Sequence, residues 1–390
     1  MRILGKGKTA LAIKEVFPNS KMYDDNDKEL FDINSNELTV VSPGIPPYNY
    51  LVQNSKNIAS DYDLFLNDDM FTIWISGTNG KTTTTSMLYH LLKDSGALCG
   101  GNIGIPLGSL SKEKDILKSK IILETSSFTL HYTNKAKPNI YILLPISEDH
   151  ISWHGTYQEY VNSKLKPLSL MSKDDIAIIP IKHKDYKSDA NVIYYNDAND
   201  LASTFEIDIE KVNFKEPFLT DSLLALTVEK IVNSKISYDK INQFSQDPHK
   251  IEEFIDSRKR LWVDDSKATN VDATIQAVKT YKDKNINIIL GGDDKGANLE
   301  PLFEYIKDYS IKVYAIGKNT DKLANLSNEY NIKHEKSYTL EEAVKNIIAN
   351  ENGQKASVSL LSPAAASLDQ FTSYKHRGDE FKRFVKLFNN

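Results

Sequence analysis

Along this chain, short apolar and β-branched runs alternate with stretches whose apolar residues recur at helical spacing. Phe71–Ile75, Lys120–Leu123 and Asn139–Leu144 read as strands, as do Leu261–Val263, Ile286–Leu290, Lys312–Ile316 and Ser357–Leu361. Two weaker runs, Met1–Leu4 and Leu38–Ser42, precede them. Between strands, Ala10–Val16, Thr82–Lys93 and Leu340–Asn350 read as helices; in the second, Met87, Leu88, Leu91 and Leu92 share one face. Strands that alternate with helices predict parallel, doubly wound sheets, with ligands at the carboxyl ends of the strands. The fold class is therefore α/β, divided into three domains at residues 1–66, 67–246 and 247–390, the first and last Rossmann-like.

Polar clusters follow the predicted strands where such sites belong. Phe71–Ile75 leads into Gly77-Thr78-Asn79-Gly80-Lys81-Thr82-Thr83 and then a helix. The two glycines let backbone N–H groups approach an anion, and the helix N-terminus adds partial positive charge. Lys81 would reach the terminal phosphates of a nucleoside triphosphate and Thr82 would ligate Mg²⁺. Ile75 stands where the general phosphate-loop pattern has glycine, so the loop is a tighter version, and the central domain is of P-loop ATPase type. By contrast, Gly5-Lys6-Gly7 after the first strand is equally well a plain turn into a helix, because the third glycine of a dinucleotide fingerprint is missing. Glu124, after the second central strand, and His150, after the third and beside Glu148 and Asp149, are natural ligands for a divalent metal near the phosphates.

Composition narrows the class. With 390 residues, a net charge of −5, 40% hydrophobic and 26% charged residues, the chain is ordinary for a globular protein. It lacks the basic domain expected of a nucleic-acid binder. The single cysteine, Cys99, excludes an internal disulfide framework and a cysteine-rich zinc site, and its Ala-Leu-Cys-Gly-Gly context reads as a loop. No apolar run approaches the ~18 residues of a membrane span. We expect a cytoplasmic monomer with no nucleic-acid or membrane partner.

The ordered loops resemble the Mur ligase family. The likeness is carried by Gly77–Thr83, Gly101-Asn102-Ile103-Gly104-Ile105-Pro106, Glu124-Thr125-Ser126-Ser127-Phe128, Glu148-Asp149-His150 and Tyr160-x-x-x-Lys164. In the last third it is carried by Asp265–Asn270, Gly291–Gly296 and Leu361–Phe371, and it spans essentially the whole chain. It implies a UDP-binding N-terminal domain, a central ATPase and a C-terminal domain for an incoming amino acid. It also implies an ATP-dependent ligase that phosphorylates a carboxylate and forms an amide in peptidoglycan precursor synthesis. The nearest branch adds D-glutamate to UDP-N-acetylmuramoyl-L-alanine.

Carried over by position, Gly77, Thr78, Asn79, Gly80, Lys81, Thr82 and Thr83 hold ATP, with Asp221, His249, Asp265 and Lys267 lining the nucleotide. Thr82 and Glu124 take a first Mg²⁺; His150 and Lys164 take a second, Lys164 as a carbamate made from CO₂. Lys81, His150 and Lys164 are the catalytic set. Ser42, Gly44, Asn102 and Ser126 face the UDP-sugar, while Thr269, Lys295, Ser367, Leu368 and Tyr374 form the D-glutamate pocket. The chain departs from the family at Ser152 (usually aspartate), Thr129 (usually glutamine), Tyr374 (usually phenylalanine) and Asn26 (usually arginine). Only Asp221 survives of an adenine-side His-Asn-x-x-Asn motif. Rival readings are another Mur-type or folylpolyglutamate-type ligase and, from a different class, a P-loop nucleotide switch.

Overall fold

The structure is a computed structural model and describes residues 1–350 and 357–388. It contains three sheets. The first runs β2 (Lys21–Tyr23), β1 (Arg2–Leu4), β3 (Thr39–Val41) and β4 (Ile58–Ala59), all parallel. The second has the order β10-β9-β8-β5-β7-β6, from β5 (Phe71–Ser76), β6 (Leu98–Gly101), β7 (Lys120–Glu124), β8 (Ile140–Leu143), β9 (Ile176–Pro180) and β10 (Asn191–Tyr195). Every pairing in it is parallel. The third has the order β11-β12-β16-β13-β14-β15, from β11 (Glu252–Ile255), β12 (Leu261–Asp264), β13 (Asn285–Gly291), β14 (Ile311–Ile316), β15 (Lys333–Tyr338) and β16 (Ser357–Leu361). Only its edge strand β11 is antiparallel.

The period of two along each central strand builds two cores. Trp74, Ile121, Leu123, Tyr141 and Leu143 point to one face and Ile73, Ile75, Ile122, Ile140 and Ile142 to the other. Helix Lys81–Leu92 lays Met87, Leu88, Leu91 and Leu92 on the second face, beside the long helix Phe218–Asn233. Each fully buried aliphatic side chain contributes roughly 1.5–3 kcal/mol, so continuous burial on both faces holds the strand ends in place. On the first face, Ile3, Val40, Tyr62 and Phe65 of the N-terminal segment share a single cluster with Trp74, Leu123 and Tyr141. Accordingly, residues Met1–Phe244 form one compact unit that contains two sheets, and Ser245–Asn390 form another around the third.

Cys99 lies in strand β6, not in a loop. Its Leu-Cys-Gly-Gly sequence has little β-propensity of its own; pairing to β7 imposes the strand. Burial pushes its thiol up to about 11, so it stays protonated at neutral pH.

Candidate active site

β5 ends at Ser76, and the next residue turns the chain into the phosphate loop. Gly77 has φ +142°, and a Cβ there would stand 2.4 Å from Leu144 Cβ, just past β8. Gly80 has φ +82° and would meet Asp221 Oδ1 at 2.5 Å. Gly80 is also the N-cap of helix Lys81–Leu92 and offers no side chain to cap it, so the first N–H groups of the helix point towards an anion site. Lys81 folds back over this turn, its Nζ donating to Gly77 O (2.9 Å) and Thr78 O (2.7 Å). Asp221, buried on helix Phe218–Asn233, accepts from Thr84 Oγ1 at 3.0 Å and so fixes that helix to the loop. Asn79 and Thr82 are half-buried at the mouth, while Thr83 is buried behind it.

Lys164 comes to the same turn from helix Tyr157–Leu170. It is 1% exposed, and its Nζ donates to Gly77 O at 2.7 Å and Ser76 Oγ at 3.4 Å. Burial, then the Lys81 charge, lowers its pKa well below the ordinary lysine range. Tyr160, one turn earlier, places its ring 4.8 Å from that Nζ and its hydroxyl 2.9 Å from Thr78 Oγ1. Thr78 Oγ1 in turn accepts from Ser147 N at 3.0 Å, joining the phosphate loop to the loop after β8. Tyr160 carries no assigned role in the sequence; its place one turn before Lys164 sets the two side chains on the same helix face.

Glu124 closes the group at the end of β7. Asn102 Nδ2 donates to its Oε1 at 2.7 Å, whereas the buried Oε2 has no hydrogen-bond partner among the described residues. An unpartnered buried carboxylate oxygen is costly, and it is the hard donor that Mg²⁺ prefers. The open oxygen of Glu124 therefore fits a divalent cation, with the half-buried Thr82 at the head of helix Lys81–Leu92 as the second ligand the resemblance implies. His150 is half-exposed, at φ +55°, with Nε2 3.6 Å from Asp149 Oδ2 and its ring against Phe128.

On the N-terminal side, Ser42 follows β3 and its buried Oγ has no partner among the described residues. It faces Gly5 (φ +102°), where a Cβ would stand only 2.7 Å away, so the glycine keeps this polar niche open. Gly44 is exposed just beyond. Ser126 caps helix Ser127–Tyr132 by accepting from Thr129 N (3.0 Å), and its hydroxyl meets Thr129 Oγ1 at 3.0 Å. Thr129 thus supports Ser126 at the position where the resemblance implies glutamine.

The remaining candidates lie in the second unit, at the carboxyl ends of β12, β13 and β16. Asp265 is buried and pushed up to about 8 by desolvation, accepting from Ser362 Oγ (2.7 Å) and Ile251 N (3.2 Å). His249 Nδ1 sits 2.7 Å from Asp264 Oδ2, and the Lys267 ammonium lies over the Tyr374 ring at 4.4 Å. Reciprocal backbone bonds between Asp293 and Ala366 (2.9 and 3.0 Å) bring the loop of Lys295 beside that of Ser367. Lys295, Thr269 and Leu368 are exposed there, while Ser367 is buried. Arg377, 1% exposed, braces the loop after β12 against the loop of Ser367 by donating to Ser266 Oγ (2.9 Å), Ser266 O (2.9 Å) and Ala365 O (3.0 Å). Nothing in its helical context announces that role. His249, Glu252 and Asp264 also gather within 4.8 Å, but Lys382 Nζ, 2.9 Å from Glu252 and 3.6 Å from Asp264, already supplies their cation.

A phosphate loop flanked by a buried lysine and an open carboxylate oxygen, on a doubly wound sheet, has the make-up of a nucleotide-phosphate site. Residues 75–237 match the Mur ligase middle domain. The chain is 46% identical to the UDP-N-acetylmuramoylalanine–D-glutamate ligase of Campylobacter jejuni (strain RM1221) and 45% identical to that of Helicobacter pylori (strain J99), covering 98% of this chain and of each relative. In fold it is similar to the MurF ligase of Thermotoga maritima in complex with ADP, with a TM-score of 0.59 at 15% identity over 99% of this chain and 94% of that one. The chain belongs to the Mur ligase family, within the branch of UDP-N-acetylmuramoylalanine–D-glutamate ligases. It is an ATP-dependent, amide-forming ligase. No helix among the described residues is long and apolar enough to cross a membrane.

Proposed function

We propose that this enzyme joins D-glutamate to the L-alanyl carboxylate of UDP-N-acetylmuramoyl-L-alanine, acting as a cytoplasmic monomer. A carboxylate is a poor electrophile, so one of its oxygens first takes the γ-phosphoryl group of ATP as the bond to ADP breaks. The amine of D-glutamate then attacks the acyl carbon, inorganic phosphate leaves, and the amine gives up a proton as the amide forms. Lys81, now hydrogen-bonded to two loop carbonyls, would turn to the transferring phosphoryl group and offset its negative charge. Asp221 and Thr84 hold the loop in shape meanwhile. Ser42, Gly44, Asn102 and Ser126 orient the UDP-sugar, and the Lys295 and Ser367 loops bind the acceptor's second carboxylate.

Two Mg²⁺ sites complete this reading, one on Thr82 and Glu124 and one on His150 and Lys164; the ions, when bound, neutralise phosphate charge. An ammonium at Lys164 would repel a cation, so we assign Lys164 a carbamate: its neutral amine bonds to CO₂ carbon and releases one proton to solvent. The observation that carries the proposal is Lys164 itself, a fully buried amine held 2.7 Å from the carbonyl of the phosphate-loop glycine.

The test is to incubate the protein with ATP, Mg²⁺ and UDP-N-acetylmuramoyl-L-alanine, add single amino acids in turn, and follow phosphate release. D-Glutamate alone should give sustained release with amide product. Release with a different amino acid would point to another ligase, and ATP turnover independent of any acceptor would point to a nucleotide switch.

A further inference from the structure

A buried imidazole beside this site takes no part in the reaction as described. His154 ends the short helix Ile151–His154 and is 6% exposed, enclosed by Phe128, Trp153 and Tyr160. Its Nε2 lies 2.9 Å from Ser127 Oγ and its Nδ1 3.4 Å from Ser163 Oγ. Ser127 directly follows Ser126, and Ser163 directly precedes Lys164. The imidazole thus spans the turn assigned to the UDP-sugar and the helix that carries the buried lysine.

The direction of these bonds follows from proton counting. The Ser163 hydroxyl has one proton, and its shortest contact, 2.8 Å, is to Glu159 O, which can only accept. Ser163 Oγ must then accept from His154, so Nδ1 carries the imidazole proton. Nε2 is left as an acceptor, and Ser127 Oγ donates to it. His131 Nδ1, also 3.4 Å from Ser163 Oγ, fills the second lone pair of that hydroxyl. The chain Ser127→His154→Ser163→Glu159 is directional and works only with a neutral imidazole. Burial keeps it neutral, pushing its pKa down to about 3, with His131 and His150 acting in the same sense.

We infer that His154 is a positioning residue, a strut that sets the distance between the Ser126 turn and Lys164. The inference rests on the functional reading of those two residues given above. Phenylalanine at 154 would keep the ring volume and break both bonds. His154→Asn places an amide N–H near the Nδ1 position and keeps the bond to Ser163; His154→Gln places an amide oxygen near Nε2 and keeps the bond to Ser127.

The experiment combines steady-state kinetics on the full chain with long-range ¹H–¹⁵N spectra of the histidine-labelled protein. For His154→Phe we expect kcat to fall and KM for the UDP-sugar to rise, so that kcat/KM drops roughly tenfold to a hundredfold, while affinity for a non-hydrolysable ATP analogue stays within about twofold. Asn and Gln should each recover part of that loss. The strut is overturned if His154→Phe matches wild type, or if all three variants lose activity in proportion to melting temperature. The spectra need no substrate: a neutral imidazole protonated on Nδ1 supports the bonding scheme, and one protonated on Nε2 or on both nitrogens overturns it. A wild-type protein inactive with UDP-N-acetylmuramoyl-L-alanine and D-glutamate would sink the functional reading instead, and the spectra would still decide the bonding.

Discussion

Keeping a lysine neutral inside a protein costs stability, because the unfolded chain regains a proton that the folded one has given up. Lys164 has a folded pKa below its unfolded value of 10.5, so between these two values the unfolded state binds more protons and stability rises with pH. Methionine fills a similar volume without that cost. In CO₂-depleted buffer, Lys164→Met should therefore melt at a higher temperature than wild type at pH 7, the gap narrowing as pH approaches 10.5; a gap constant with pH would contradict the burial of a neutral amine. The same substitution should abolish ligation, and Lys164→Ala should recover part of its activity when short carboxylic acids occupy the vacated space. Lys295 differs in kind, being exposed at the end of β13 with φ +51°. If it pairs with the acceptor's second carboxylate, Lys295→Ala removes a charge-assisted hydrogen bond of about 1.5–3 kcal/mol. KM for D-glutamate should rise by about tenfold or more and that for ATP should barely move; an equal rise in both would remove Lys295 from the acceptor pocket.

At the scale of elements, the phosphate loop depends on backbone that only glycine tolerates. Gly77→Ala forces a Cβ into Leu144 at a left-handed φ, which costs of order 1–3 kcal/mol and shifts the carbonyl that Lys81 and Lys164 share. We expect loss of ATP binding by titration with a folded far-UV spectrum; unchanged affinity would mean that the loop does not hold the phosphates. The central elements were legible from the pattern because strands such as β5, β7, β8 and β13 are buried apolar runs that end in polar clusters. Most strands the pattern does not single out lie at sheet edges: β2, β4, β6, β10, β11 and β15. An edge strand faces solvent, so Lys-His-Glu-Lys-Ser-Tyr in β15 needs no apolar signature. β9 is interior and apolar, and the lysine-rich stretch that follows it, Lys182–Lys187, reads as an ordinary solvated loop rather than as a site. Within the site, residues in ordered loop motifs could be named from sequence. The contacts of Tyr160, His154 and Arg377 could not, because they join segments far apart in the chain.

For the whole molecule, the distribution of cores predicts which pieces fold alone. Residues 1–66 place Ile3, Val40, Tyr62 and Phe65 in a cluster completed by Trp74, Leu107, Leu123 and Tyr141. Residues 245–390 have clusters of their own on both faces of the third sheet. Expressed separately, residues 245–390 should melt cooperatively, and residues 1–66 should give the spectrum of an unfolded chain; a cooperative transition in the shorter fragment would show that its core is self-sufficient. Lys164 belongs to the larger unit, and its burial bears on how the enzyme comes into being. An exposed lysine is almost wholly cationic at neutral pH and scarcely reacts with CO₂. Docking of the helix from Tyr157 to Leu170 buries this one, which lowers its pKa and favours the neutral, nucleophilic amine. On the carbamate reading, maturation then needs no dedicated modifying enzyme: folding makes the amine reactive, and dissolved inorganic carbon completes the site. Newly refolded protein kept under argon should be inert, and should gain activity on exposure to bicarbonate without any further change in secondary structure.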